Sequence, residues 1–152
     1  MKVSELMNRS VVTIGPSDTC RDAVGRMHGA RVRHLPVVDA KGELIGVVTD
    51  RDLRHHLFDA RVLKEIGTIA VDTLLKAVRV GDVMSSPVVS VGAGDELVEA
   101  ARLMLEDKVG SLPVVDGGRV VGIITETDLL REICRADQSR SPEVAEIVVS
   151  YP

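Results

Sequence analysis

The chain carries nearly the same text twice. Val3 to Asp39 aligns on Val80 to Asp116 at a constant offset of 77 (80 − 3). After one deletion, Gly42 to Leu53 aligns on Gly118 to Leu129 at an offset of 76 (118 − 42). Nineteen aligned positions are identical, a duplication too regular to be chance composition. At 152 residues and 16.3 kDa the chain fits about one compact domain, or two small units sharing a core.

Each copy reads as β-α-β-β-α. It opens with a short turn, Val3-Ser4-Glu5-Leu6-Met7 or Val80-Gly81-Asp82-Val83-Met84, before a β-branched stretch, Val11-Val12-Thr13-Ile14 or Val88-Val89-Ser90-Val91, that predicts a strand. A helix follows. After Ser17 or Asp18 come Cys20, Ala23, Val24 and Met27, and after Asp95 come Leu97, Ala100, Ala101 and Met104, both at the spacing of a helix buried on one face. Leu35-Pro36-Val37-Val38-Asp39 and Leu112-Pro113-Val114-Val115-Asp116 predict strands. Ala40-Lys41-Gly42 and Gly117-Gly118 turn each into a hairpin with Leu44 to Val48 or Val120 to Ile124. Between the copies, Arg54 to Arg79 does not repeat; its helical pattern has a possible break at Gly67-Thr68. A tail from Ser139 to Pro152 carries Val144, Ile147 and Val148.

The chemistry sits where the last strand of each copy meets the last helix. Gly46-Val47-Val48-Thr49-Asp50-Arg51-Asp52 returns as Gly122-Ile123-Ile124-Thr125-Glu126-Thr127-Asp128. A helix N-terminus fed by a strand offers unpaired N–H groups and the positive end of the dipole to a phosphate. The Asp one turn in is an acceptor suited to a ribose diol. The same Thr-x-x-Asp is also a capping box, with Thr on the third N–H of the helix and the acid reaching back. Both readings stand at this level.

Composition removes other classes. Aromatics are 1% of the chain, the net charge is −4 and the pI is near 5.6, which leaves neither stacking platforms nor a field for a polyanion, so nucleic acid is a poor partner. Cys20 and Cys134 are too few and too far apart for a disulfide scaffold or a zinc site. The start lacks the apolar core of a signal peptide and no apolar run approaches a membrane span, which predicts a soluble, cytoplasmic protein. No His-Glu-x-x-His, Cys-x-x-Cys, Gly-x-Ser-x-Gly or Walker loop occurs, and no nucleophile, base and orienter assemble, so an enzyme is not expected. His55-His56 point about 100° apart on a helix and do not chelate as an i, i+4 pair does, and His28 reads as a surface residue.

Leu-Pro-Val-Val-Asp followed by Gly-h-h-Thr-x-x-Asp, twice, each behind a Val-x-x-h-Met start, resembles a tandem CBS-domain protein, of the family named after cystathionine β-synthase. The resemblance implies an α+β fold: two β-α-β-β-α units related by a pseudo-twofold axis, with sheets packed together and helices outside. Their spans would be residues 1–60 and 80–136, with a connecting helical segment at 61–79 and a tail at 137–152. It implies a regulatory module without a required cofactor. Two clefts would sense an adenosyl ligand (AMP, ADP, ATP or S-adenosylmethionine) and signal through conformation or assembly, to an unknown effector protein. A ligand-free dimerisation module and an uncharacterised enzyme are the alternatives.

Carried over by position, Asp52 with Thr49 and Asp128 with Thr125 would hold the ribose. Arg33, His34 and Arg51 would lie near phosphate in one cleft, where the other has Gly110, Ser111 and Thr127, so the Asp52 cleft is expected to be the better anion site. Val12, Val32, Val88, Val89 and Val109 would wall the adenine, and can serve the core at the same time. A homodimer is expected through helix faces carrying Met27, Met104, Leu63, Ile66, Leu74 and Leu75.

Overall fold

A computed structural model of the protein describes residues 1–57 and 71–138. In chain order the elements are α1 (Val3–Leu6), α2 (Cys20–Ala30), β1 (His34–Val38), β2 (Leu44–Thr49) and α3 (Asp50–Leu57), then helical residues 71–77 as α4. The second half has α5 (Val80–Val83), β3 (Val91–Gly92), α6 (Leu97–Asp107), β4 (Ser111–Asp116), β5 (Arg119–Thr125) and α7 (Glu126–Gln138). The expected break at Gly67-Thr68, with Leu63 and Ile66, lies outside the described residues, as does the tail from Ser139.

The two hairpins are built alike. β1 pairs antiparallel with β2 and β4 with β5, each with an irregularity at the same place in the repeat, between Val37 and Val38 and between Val114 and Val115. Gly42 and Gly118 turn them at φ 80° and 81°, a region that L side chains avoid. The hairpins also join the two sheets: Leu44 N–H donates to the Gly118 carbonyl at 3.0 Å, and Glu43 bridges Arg119.

The strands expected at 11–14 and 88–91 shrink to a single bridge, Ile14 with Val37, and to the two residues of β3. Proline is the reason. Ile14 N–H donates to the Pro36 carbonyl and its own carbonyl accepts from Val38 N–H. The next bond of that parallel ladder needs an N–H from Pro36, which has none. Pro113 stands in the same relation to β3, whose Val91 pairs with Val114. The Val12 and Val89 backbones therefore make no hydrogen bond among the described residues.

The caps also differ from expectation. Thr19, not Ser17 or Asp18, caps α2, in a box with Asp22, and Glu96, not Asp95, stands at the N-terminus of α6 without a side-chain cap. Asp18 and Asp95 instead accept from Gly15 N–H and Gly92 N–H and close the preceding turns.

Two apolar cores result, and each is completed by the opening segment of the other copy. Val3 and Met7 are buried with Val91, Ala100, Met104, Leu112, Val114 and Ile124. Val80 and Val83 are buried with Ile14, Cys20, Ala23, Met27, Leu35, Val37 and Val48, where Leu53, Leu57 and Leu75 also lie. The exchange is symmetric: Val3 N–H donates to the Asp95 carbonyl at 2.9 Å and Val80 N–H to that of Asp18 at 2.8 Å. Burying each such side chain is worth about 1.5–3 kcal/mol, against roughly 0.5–1.5 for each backbone bond, so apolar anchoring dominates the exchange.

Gly46 and Gly122 are where the crossing chain seats. A methyl group on Gly46 would stand 2.7 Å from Met84 Sδ, and one on Gly122 would stand 2.6 Å from Met7 Sδ. Met27 and Met104, expected on an outer helix face, are core residues, as is Leu75. Among the described residues, the large apolar side chains left exposed on helices are Val98 and Leu105 of α6 and Leu130 and Ile133 of α7. No helix among the described residues is long and apolar enough to cross a membrane.

Candidate functional site

Thr49 ends β2 and Asp52 sits in the first turn of α3, so the motif is a capping box in fact: Thr49 N–H donates to Asp52 Oδ2 at 2.9 Å and Asp52 N–H to Thr49 Oγ1 at 3.0 Å. Thr125 and Asp128 repeat it at the start of α7, with Thr125 N–H and Oγ1–H both donating to Asp128 Oδ2 at 2.9 Å. The cap consumes one carboxylate oxygen in each copy and leaves Oδ1 for other partners. In the first copy that partner is Ser85, whose hydroxyl lies 3.4 Å from Asp52 Oδ1. In the second it is Arg131, 3.9 Å from Asp128 Oδ1. The capping and ligand readings of the motif are thus compatible within one side chain.

Ser85 belongs to the other copy. It pairs with Val47 through two backbone bonds, 3.2 and 2.9 Å, just as Asn8 of the first copy pairs with Ile123. The segment that runs on from Ser85 to Val88 and Val89 therefore starts beside Asp52, and the one from Asn8 to Val12 starts alongside β5, which ends in Thr125. Each motif meets the opening segment of the opposite copy. The Ser86–Pro87 peptide in the first of these segments is cis.

At the end of the hairpins the two copies face each other. His34 is the ladder partner of Thr49, and Ser111 that of Thr125. The Arg33 carbonyl accepts from Asp50 N–H and that of Gly110 from Glu126 N–H, both at 3.0 Å. The His34 ring reaches across this seam: a methyl on Gly110 would stand 3.4 Å from His34 Nε2 and 3.7 Å from Glu126 Oε2. Burial holds the His34 pKa below its ordinary value of 6.5, against the upward pull of Asp50, Glu126 and Asp52, with Arg33 adding to the lowering. Burial thus favours the neutral, hydrogen-bonding form of His34 beside the charged Arg33.

Asp50 is paired with Arg54. Arg33 and Arg51 are exposed, and among the described residues neither guanidinium has an ion-pair or hydrogen-bond partner; Glu126 is exposed and forms no ion pair there. Thr127 is exposed on α7, while Ser111 is 6% exposed and lies within the sheet. Val12 and Val32 pack half-buried against the first core, Val89 and Val109 against the second, and Val88 is half-buried. An open cleft of about 610 Å³ lies at the C-terminal end of α2 among Met27, His28, Gly29, Arg31, Val32 and Arg33. It takes in Val32 and Arg33 but not Thr49, Arg51 or Asp52. Sequence reasoning missed Ser85, Asp50 and Glu126; the alignment of Ser85 with Asn8, the polar residue after each opening Met, was the available signal for the first.

Comparison with known proteins agrees with this architecture. The family described as CBS domain matches residues 3–59 and 80–135. A CBS domain-containing protein of Dictyostelium discoideum is 37% identical over 129 residues, 84% of this chain and 88% of that protein. An inosine-5′-monophosphate dehydrogenase of Methanocaldococcus jannaschii is 34% identical over 131 residues, 86% of this chain but 23% of the enzyme's length. The crystal structure of CBSX2 in complex with AMP is similar with a TM-score of 0.71 and 32% identity, covering 90% of this chain and 98% of that one. A CBS domain pair in complex with 5′-methylthioadenosine and S-adenosyl-L-methionine shares the fold, with a TM-score of 0.73 and 23% identity over 90% and 98% of the two chains.

Proposed function

The chain belongs to the CBS-domain family, and on that premise we propose that it is a non-catalytic regulatory module that binds an adenosyl ligand in the clefts beside Asp52 and Asp128. The observation that carries the reading is the state of Asp52. One oxygen is spent on the helix cap, and among the described residues the other is held only by the long contact to Ser85, while Arg33 just before β1 and Arg51 in α3 have no partner there. A ribose diol supplies two donors to such an oxygen, and a phosphate is matched by guanidinium forks. The unpaired backbones of Val12 and Val89 offer donors and acceptors to a base edge. The AMP held by CBSX2 supports the ligand class.

The Asp52 cleft is the stronger anion site, because Gly110 and Thr127 occupy the positions in the second copy that match Arg33 and Arg51. Its ligand bridges groups from both copies, Asp52 from one and the segment after Ser85 from the other, so binding favours whichever relative placement of the copies brings them together. That shift, passed on through assembly or to an effector protein, is the signal.

Calorimetry with AMP tests the assignment. Asp52→Ala should weaken binding at least tenfold, since hydrogen bonds to a charged group are worth about 1.5–3 kcal/mol each. That variant also removes a helix cap, costing about 1 kcal/mol of stability. Asp52→Asn separates the two effects: its amide oxygen can still accept from Thr49 N–H, while its NH₂ faces the ribose with a donor where an acceptor is needed. Weak binding in both variants, with stability kept in Asp52→Asn, is the expected result; undiminished affinity in both would remove the site.

A further inference from the structure

Glu126 stands at the first position of α7, on the seam it shares with His34, next to where the phosphate of the proposed ligand would lie. Its backbone N–H is tied to the Gly110 carbonyl, and its carboxylate lies 3.7 Å from the point where a Gly110 methyl would be, beside His34 Nε2. Its counterpart in the first copy, Asp50, is paired with Arg54. Glu126 forms no ion pair among the described residues. Among the described residues, the charges without an ion-pair partner that flank this seam include Arg33 and Arg51 on one side and Glu126 on the other. A phosphate monoester carries about two negative charges, which the two guanidinium groups match. Each further phosphate adds about one more negative charge and extends the tail along a seam where the next fixed charge is negative.

Building on the reading that these clefts take an adenosyl ligand, we propose that Glu126 limits that ligand to a single phosphate, so that the protein is selective for an adenosyl monophosphate against the corresponding di- and triphosphate. In the second cleft, where Gly110 and Thr127 replace the cations, the same carboxylate has no positive counterweight and disfavours phosphorylated ligands altogether. Selectivity thus comes from one repulsive group and not from a closer fit to AMP.

Calorimetry on the full chain, in low salt with EDTA, reads the dissociation constants of AMP, ADP and ATP for the wild type, Glu126→Gln and Glu126→Lys. The wild type should bind AMP about tenfold or more tightly than ATP. Glu126→Gln should narrow that ratio about tenfold while moving AMP little, the effect of one like-charge contact over roughly 6 Å at an effective dielectric of about 40. Glu126→Lys should reverse the order. Added Mg²⁺ should narrow the wild-type gap by neutralising the extra phosphates. A ratio unchanged in both variants overturns the role of Glu126 and leaves the ligand site standing. Failure of the wild type to bind any of the three nucleotides overturns both.

Discussion

His34 shows how much one side chain here depends on its surroundings. Burial pushes its pKa below 6.5, and Arg33 adds to that, while Asp50, Glu126 and Asp52 pull it back. Between the lowered native value and 6.5 the unfolded chain binds the proton and the folded chain does not, so stability is full above 6.5 and is lost as pH falls through that window. The urea midpoint of the wild type should drop between pH 7 and pH 5 by more than that of His34→Gln; parallel profiles would assign the loss to other groups. In the proposed site a phosphate would favour the charged imidazole, so as pH falls from 7 to 5 the wild type should keep more of its AMP affinity than His34→Gln, the phosphate's own protonation near pH 6 being common to both. At this scale the sequence was legible where chemistry is local. Thr49 and Asp52 sit three residues apart, and their cap follows from that spacing alone. Ser85 and Glu126 were not legible, since each acquires its neighbours from the opposite copy. The burial that lowers the His34 pKa is likewise a property of the seam and has no signature in the local sequence.

The elements were readable wherever side-chain pattern decides them. α2 and α6 turn the stripe that their spacing predicts inward, burying Cys20, Ala23 and Met27 and Ala100 and Met104 with the rest of it half-buried, and both hairpins turn at the expected glycines. The strands at 11–14 and 88–91 failed for a reason that propensity does not register: the neighbouring strand has a proline where a donor is needed, so Ile14 and Val91 pair and the valines before them do not. The glycine that opens each Gly-h-h-Thr run had a further meaning. Gly46 gives Met84 room to cross, and Gly122 does the same for Met7. Gly46→Ala should therefore destabilise the protein by about 1–3 kcal/mol, the usual cost of overpacking, although the added methyl lies in a strand that would otherwise tolerate it. Adding Met84→Ala should return part of that loss, so that the two changes combine non-additively in urea unfolding. Strict additivity would show that the methionine and the glycine do not meet.

For the whole molecule, the two copies differ in character on the exposed faces of their helices. Val98, Leu105 and Leu130 are exposed, and the aligned positions of the first copy are Arg21, His28 and Arg54. A homodimer, which we propose on the strength of this apolar face, should form through α6 and α7 rather than through helices of both copies equally. Leu105→Glu should shift sedimentation at tens of micromolar towards the monomer while His28→Glu leaves it in place; a wild type that is monomeric with and without AMP would exclude this assembly. The exchange of opening segments has its own consequence for how such a chain can arise and be divided. Half of it, made alone, would carry a methionine with no glycine to cross and a glycine groove with nothing in it, and a second identical half would satisfy both at once. The protein is in that sense two protomers spliced end to end. Splicing frees the halves from having to be identical, which is why one can keep its arginines at the seam and the other can replace them with glycine and threonine. Cut between residues 58 and 70, the chain should yield fragments that find each other again in solution.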